Sequence, residues 1–557
     1  MVKKLRDLFS REIKGLHEAA YLLAFFSIIS QLVALFRDRL LAGHFGTGLE
    51  LDIYYAAFKL PDLMFVVVST LVSVSVLVPQ FIKYLESREE LKKLIDSVFT
   101  VLSLVSFIVL VSAFFLTPKF LSLMVPDLFD SSLGNELIVI TRILLIQPII
   151  LSVSSFMGSL VQVYRKFTIY AFSPILYNIG IVLGILFFYP KYGIVGLAYG
   201  VVLGSFFHLL IQLPFIFEED IYPKLTFKVQ FKKKWYVISN SLPRTASMLA
   251  NQGILIFMTF LASSMAFGSL SIFNLSYNLQ SVPLAIIGVS YSLAAFPTLS
   301  KYFHSGEMNK FYSNMQKALR HIIFWSFPVM AMFVVLRAQI VRVILGSGNF
   351  DWESTRMVAA SLAIFTLSIF AQSISLLFLR AYYAMGKTLK PFIITITMFF
   401  SVISFSFVFL AVMETPVSVY VKEFLRLGNL SDVTVLSLSM AYTLGQIIYM
   451  VLLAGLFRGI SKIIDKDLIR TTWQSITGSL IAFIVAFVSL NFFDRFFDLN
   501  TFFGVFFHGF ISGLIGLFVA FIFFIVIDNN EVNTVIKTLK TKFWKAKTIS
   551  PEVNEEI

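Results

Sequence analysis

Apolar runs of roughly twenty residues recur along the chain from residue 17 to residue 527, separated by short polar clusters rich in Lys, Arg, Gly and Pro. At 1.5 Å of rise per residue a helix of that length crosses the ~30 Å hydrocarbon core of a bilayer. Hydrocarbon offers no water to backbone N–H and C=O groups, so only helices or a closed barrel can span it, and runs this continuously apolar predict helices. The pattern places them at 17–36, 51–82, 94–117, 135–163, 168–189, 192–217, 236–264, 270–300, 318–346, 355–384, 390–413, 432–457, 471–493 and 501–527, fourteen in all. The second is predicted to be broken. Its stretch "FKLPDLMF" (58–65) sets Lys59, Pro61 and Asp62 in apolar surroundings, and a proline removes a backbone donor and kinks a helix.

Composition agrees. Apolar side chains make up 58% of the 557 residues and charged ones only 14%, and the mean hydropathy is +0.84, which excludes an ordinary soluble domain. The absence of cysteine removes disulfides, thiolate metal sites and thiol nucleophiles from consideration. Six histidines without an H-E-x-x-H pair, the lack of a Walker-type loop and short extramembrane segments give enzyme chemistry no support. A transporter is predicted, with no cofactor and no metal. The basic start "MVKKLRDLFSREIKGLHEAAYLLAFF" reads as a cytoplasmic amphipathic lead-in to the first span, since no small-residue cleavage site follows it.

The net charge of +13 is concentrated in alternate loops, from Lys3, Lys4 and Arg6 through Lys83, Arg165, Lys232 and Lys301 to Arg458 and Lys462. By the positive-inside rule these loops and both termini are cytoplasmic. Such a charge pattern faces anionic lipid headgroups and not nucleic acid. The tail "IKTLKTKFWKAKTISPEVNEEI" is predicted to be a surface-lying anchor.

"VLVPQFIKY" (76–84) and "AAFPTLSKY" (294–302) match at an offset of 218 residues, which also aligns Tyr164 with Tyr382. The order of these weak matches predicts two six-helix lobes, 1–220 and 236–460, joined by a cytoplasmic basic linker at 221–235. Helices 13 and 14 (461–530) and a cytoplasmic basic tail (531–557) follow. An even number of helices per lobe gives parallel repeats, an arrangement that places a ligand site between halves and lets them rock in alternating access.

Charged side chains at membrane depth cost ~2.5–3.5 kcal/mol on insertion scales and therefore face cavities or partners. The candidates are Arg37, Asp38, Arg39, Asp52, Lys59, Asp62, Arg142, Arg244 and Arg380. Arg37, Asp38 and Arg39 could instead pair with one another at the outer end of the first helix, Arg142 could snorkel, and Arg380 could lie at the interface. Lys59 and Arg244, each beside a proline, are harder to explain so. Cations dominate, which suits an anionic ligand such as a pyrophosphate.

The pieces "LFRDRLLAGHFGTGLELDIYYAAFKLPDL" (35–63), "YRKFTIYAFSPILYNIG" (164–180), "IVRVILGSGNFDWESTRMVAASLAIF" (340–365) and "LRAYYAMGKTLKP" (379–391) resemble the MurJ/MviN family of lipid II flippases. That family lies in the MOP exporter superfamily with the MATE antiporters and Wzx-type flippases. The resemblance implies an all-α polytopic, MOP/MATE-like fold of fourteen helices with a central cationic cavity, and a groove on helices 13 and 14 for a polyprenyl tail. It further implies movement of an undecaprenyl-pyrophosphate-linked peptidoglycan precursor, lipid II, from the inner to the outer leaflet of the bacterial cytoplasmic membrane. The matched motif residues are Arg37, Asp38, Asp52 and Lys59 with the helix-breaking Pro61. Gln31, Phe65 and Asn278 stand where family members carry cavity arginines, and Lys387 where many carry an acidic residue associated with cation binding. A planar guanidinium grips a diphosphate bidentately and none of these three replacements does; Arg244 is a candidate to restore the charge. The expected central-cavity set is thus Arg37, Asp38, Asp52, Lys59, Arg244, Asn278 and Gln31, with Arg37 and Lys59 holding phosphate and Asp38 and Asp52 pairing with these cations. Expected partners are the lipid-linked glycan pyrophosphate and membrane lipids, for a monomer driven by membrane potential or a monovalent cation. The alternatives are a flippase for another polyprenyl-linked glycan, Wzx-like, or a MATE-like small-molecule antiporter.

Overall fold

A computed structural model describes residues 16–69, 77, 81, 84, 85, 87–226, 235–428, 430 and 432–539. Every regular element among them is a helix. Each predicted span coincides with one to three observed helical segments, beginning with Leu16–Phe45 and ending with Phe502–Val526. Eleven described helices are long and apolar enough to cross a membrane, or twelve when Trp352–Thr366 and Ile369–Ala384, bent by 43°, count as one span. The predicted spans at 17–36 and 51–82 fall outside that count, so the number fourteen is not reached on length and apolarity alone. The predicted linker at 221–235 and tail at 531–557 lie largely outside the described residues.

Two boundaries differ from the sequence reading. The first helix does not stop at Phe36 but runs on to Phe45, carrying Arg37, Asp38 and Arg39 within it. The second span breaks at Phe58, between Leu49–Ala57 and Lys59–Ser69, before Pro61 and not at it. Pro61 occupies the first turn of the new helix, where the missing N–H has no intrahelical partner to lose.

The exposed surface is apolar where lipid would lie. Arg88–Met124 has only 17% of its apolar window buried and presents Leu104, Phe107 and Phe115 outward. Hydrocarbon removes any hydrophobic drive between helices, so packing rests on close backbone approach. In Phe167–Leu183 and its continuation, Gly180 and Gly184 face Gly204 and Gly200 of Val195–Leu210. A Cβ on Gly180 would stand 2.2 Å from the Gly204 Cα, and one on Gly200 would stand 2.4 Å from the Gly184 Cα. Gly180→Val is expected to destabilise the protein by about 1–3 kcal/mol, the usual cost of overpacking. A lowered thermal midpoint in detergent would show it; an unchanged midpoint would mean that the helices part freely.

By packing, the chain divides into a unit of residues 1–282, 340–368 and 386–453 and a unit of residues 283–339, 369–385 and 454–557. The first contains every intramembrane charge discussed below except Arg380, which lies in the second. In the second, Lys466–Phe493 and Phe502–Val526 form an antiparallel hairpin with Gly516 against Ala482 and Ala486. That hairpin packs with Met308–Val335 around Phe324, Met332, Ala520 and Phe524. The last helix, Asn530–Leu539, adds Val532 to this core, and Glu531 accepts a hydrogen bond from Thr471 Oγ1 at 3.1 Å.

Candidate functional site

The site is organised by one face of the helix Ser269–Leu284. Ser271, Asn274 and Asn278 are three and four residues apart, so their side chains line up along that face over roughly 10 Å. Each meets a different charged residue of the first two spans: Ser271 meets Asp52, Asn274 meets Lys59 and Asn278 meets Asp38.

At one end Arg37 folds back on its neighbour Asp38. Its Nε and Nη2 donate to Asp38 Oδ1 at 2.9 and 2.7 Å, and its Nη1 donates to Asn178 Oδ1 at 2.9 Å. The Asn178 amide nitrogen is turned toward the Pro174 carbonyl at 3.0 Å, which fixes its oxygen toward the arginine. Asp38 is 3% exposed, and its other oxygen accepts from Asn278 Nδ2 at 3.2 Å. A guanidinium has five N–H donors; three are occupied here, leaving two for an anion.

Lys59 opens the helix Lys59–Ser69 and is 7% exposed. Its Nζ has one contact, Asn274 Oδ1 at 3.5 Å, at the outer limit of a hydrogen bond. No carboxylate among the described residues lies within ion-pair distance of it, Asp62 on the same turn included. An ammonium carries three donors, and a buried one this poorly coordinated is costly without a partner.

Asp52 departs from the expected role. It is 1% exposed, and its oxygens are filled by the N-terminus of the facing helix. Gly268 N donates to Oδ2 at 2.6 Å, while Ser271 N and Ser271 Oγ donate to Oδ1 at 2.7 and 2.5 Å. Pairing of Asp52 with Arg37 or Lys59 is therefore not observed: the carboxylate caps a helix whose dipole and free N–H groups favour negative charge.

The remaining candidates separate. Arg39 donates from Nη1 to the Val343 carbonyl at 2.7 Å and from Nη2 to the Gly346 carbonyl at 3.4 Å, at the C-terminal end of Arg337–Ile344, where a cation is favoured. It does not join the Arg37–Asp38 pair. Arg142 lies over the Phe114 ring at 4.5 Å and Arg380 over Phe296 at 5.7 Å. Phe65 is half-buried on Lys59–Ser69. Gln31 lines a separate polar pocket with His208 and Gln212, and the side chain of Arg244 lies outside the described residues. Asn178 and Asn274 are not among the sequence-predicted site residues; the signal for Asn274 is the row of intramembrane amides in "SIFNLSYN" (271–278).

Two incompletely engaged cations set in a neutral amide seam can hold an anion at membrane depth. With the many-span helical fold, this defines the class as a many-span helical membrane protein with a candidate anion site at membrane depth. Solved structures share the architecture. A lipid II flippase MurJ in an inward closed conformation superposes with a TM-score of 0.72 at 23% identity, covering 92% of this chain and 100% of that one. An inward-facing MATE family multidrug resistance transporter of the MOP superfamily reaches 0.62 at 15% identity, over 81% and 99%. The chain belongs to the MurJ family: the family model described as lipid II flippase MurJ matches residues 41–508. Relatives include a probable lipid II flippase MurJ of Buchnera aphidicola subsp. Schizaphis graminum, 26% identical over 67% of this chain and 74% of its own length. Another is the lipid II flippase MurJ of Burkholderia cenocepacia, 23% identical over 62% and 68%.

Proposed function

We propose that the protein is a lipid II flippase that carries the diphosphate-linked headgroup across the bacterial cytoplasmic membrane while the polyprenyl tail stays in lipid. The observation that carries this reading, beside family membership, is the pair of cations with open donors, the half-buried Arg37 and the buried Lys59. A sugar diphosphate cannot enter hydrocarbon unaided, and its charge needs compensation at membrane depth. Arg37 offers two N–H groups and Lys59 a nearly free ammonium; Asp38 orients Arg37 and limits how tightly it holds the anion. Asn278, standing where the resemblance places an arginine, serves Asp38 and not the ligand. Asp52 holds the outer end of its helix, and the exposed apolar faces of helices 13 and 14 accommodate the tail. Alternating access of the two six-helix lobes, drive by membrane potential or a monovalent cation, and cytoplasmic termini complete the reading.

The test is translocation. Liposomes containing the protein and lipid II in one leaflet are expected to expose the headgroup at the opposite leaflet faster than protein-free liposomes, and Arg37→Ala is expected to slow the exchange by about 10–100-fold, the worth of a charged hydrogen-bonded contact. Exchange no faster than in empty liposomes would overturn the assignment.

A further inference from the structure

A cavity of about 310 Å³ lies among four helices of the first packing unit, lined by Ser27, Ser30 and Gln31 of the first helix and by Tyr170, His208 and Gln212 opposite. Among the described residues no Asp, Glu, Lys or Arg lines it. Its wall is built. Gln212 is 1% exposed and donates to Ser154 Oγ at 2.7 Å, while Ser154 Oγ lies 2.7 Å from His208 Nδ1. These bonds hold the amide and the imidazole in place, and Gln212 Oε1 is left buried without a partner.

The facing side is unsatisfied. Ser27, Ser30, Gln31 and Tyr170 form no side-chain hydrogen bond with another described residue. Some serines of the membrane helices return their hydroxyl to the carbonyl four residues back, as Ser173, Ser205 and Ser276 do at 3.0, 2.8 and 2.7 Å. Ser27 and Ser30 do not, and with Gln31 they fall at i, i+3 and i+4, one face of the helix. Open hydroxyl and amide valences on one side of an uncharged cavity are complementary to a ligand that carries hydroxyls and amides and no charge.

Position narrows the ligand. Gln31 precedes Arg37 by six residues, and Pro174, also on the cavity wall, precedes Asn178 by four. The two helices lie side by side, with Phe26 against Phe172 at 5.8 Å and Arg37 bonded to Asn178. By that spacing the cavity wall lies about 6–9 Å along the same helices from the positions of Arg37 and Asn178. We propose that this cavity is a subsite for the sugar directly attached to a diphosphate held at Arg37, its ring hydroxyls and any acylamino group taken by Ser30, Gln31 and Tyr170. The inference rests on the flippase reading and names the part of the cargo that this wall receives. It also gives Gln31 a role of its own, since an arginine there would place a charge in a cavity otherwise made for neutral groups.

The experiment measures retention of two lipids by the purified full chain in native mass spectrometry: a polyprenyl diphosphate without sugar, and the same lipid bearing one N-acetylhexosamine. Wild type is expected to prefer the sugar-bearing lipid. Gln31→Leu and Ser30→Ala are each expected to lower that preference by about five- to tenfold, as the loss of one or two hydrogen bonds does, while binding of the sugar-free lipid stays unchanged and shows the variants to be folded. An equal preference in wild type and both variants overturns the subsite and leaves the flippase reading standing. Failure of wild type to retain either lipid overturns both.

Discussion

Lys59→Met protein is expected to retain a polyprenyl diphosphate about 10–100-fold less tightly than wild type while unfolding at the same temperature or higher. The two readouts move apart because the lysine is buried with one long contact to Asn274. A hydrogen bond from a charged donor to a phosphate oxygen is worth ~1.5–3 kcal/mol, and that is lost. In the free protein the same charge is desolvated with little in return, and replacing a buried charge by an apolar side chain of similar length is neutral or stabilising. Native mass spectrometry gives the binding ratio and a thermal ramp in detergent gives the midpoint. A large fall in midpoint with binding intact would make Lys59 a structural residue and remove the central support for an anion site.

The opposite pattern is expected seven residues earlier, at the buried Asp52. Asp52→Ala should destabilise the protein by about 3–5 kcal/mol, because it strips three hydrogen bonds and leaves the N–H groups of Gly268 and Ser271 buried without acceptors. Asp52→Asn, which keeps one acceptor oxygen, should fall between. Hydrogen exchange over residues 268–272 should quicken in both variants, and diphosphate binding measured well below the midpoint should change little. Full thermal stability in Asp52→Ala would show that the carboxylate is not a cap, and a binding loss matching that of Lys59→Met would return it to the ligand site.

These two residues show where sequence is readable in such a chain. Charges stand out against apolar runs, so Arg37, Asp38, Asp52 and Lys59 were all visible as candidates, and the spans themselves follow from run length. Roles were less visible, because they depend on partners far away along the chain: Asp52 meets residues more than two hundred positions later, and Arg39 meets carbonyls beyond residue 340. The same distance hid the true end of the first helix. Arg37, Asp38 and Arg39 look like a terminus at the water boundary, whereas a neighbouring carboxylate, two asparagines and a helix C-terminus engage them within the fold. The break near Pro61 was legible as a break, but its position was set by where a new helix starts, one turn earlier than the proline suggested.

The facing glycines Gly180, Gly184, Gly200 and Gly204 bear on how this protein can vary over time. Every amino-acid replacement reachable from a glycine codon by one base change adds at least a Cβ, and at Gly180, Gly200 and Gly204 that atom would fall within 2.4 Å of the opposite helix's backbone. Mutational drift through this seam is therefore constrained: synonymous changes pass freely and every replacement destabilises, whereas the lipid-facing leucines and phenylalanines a few residues away can be exchanged for one another at little cost. The polar wall that shares the helix Phe167–Leu183 is free to be retuned for a different cargo as long as this backbone contact stays fixed.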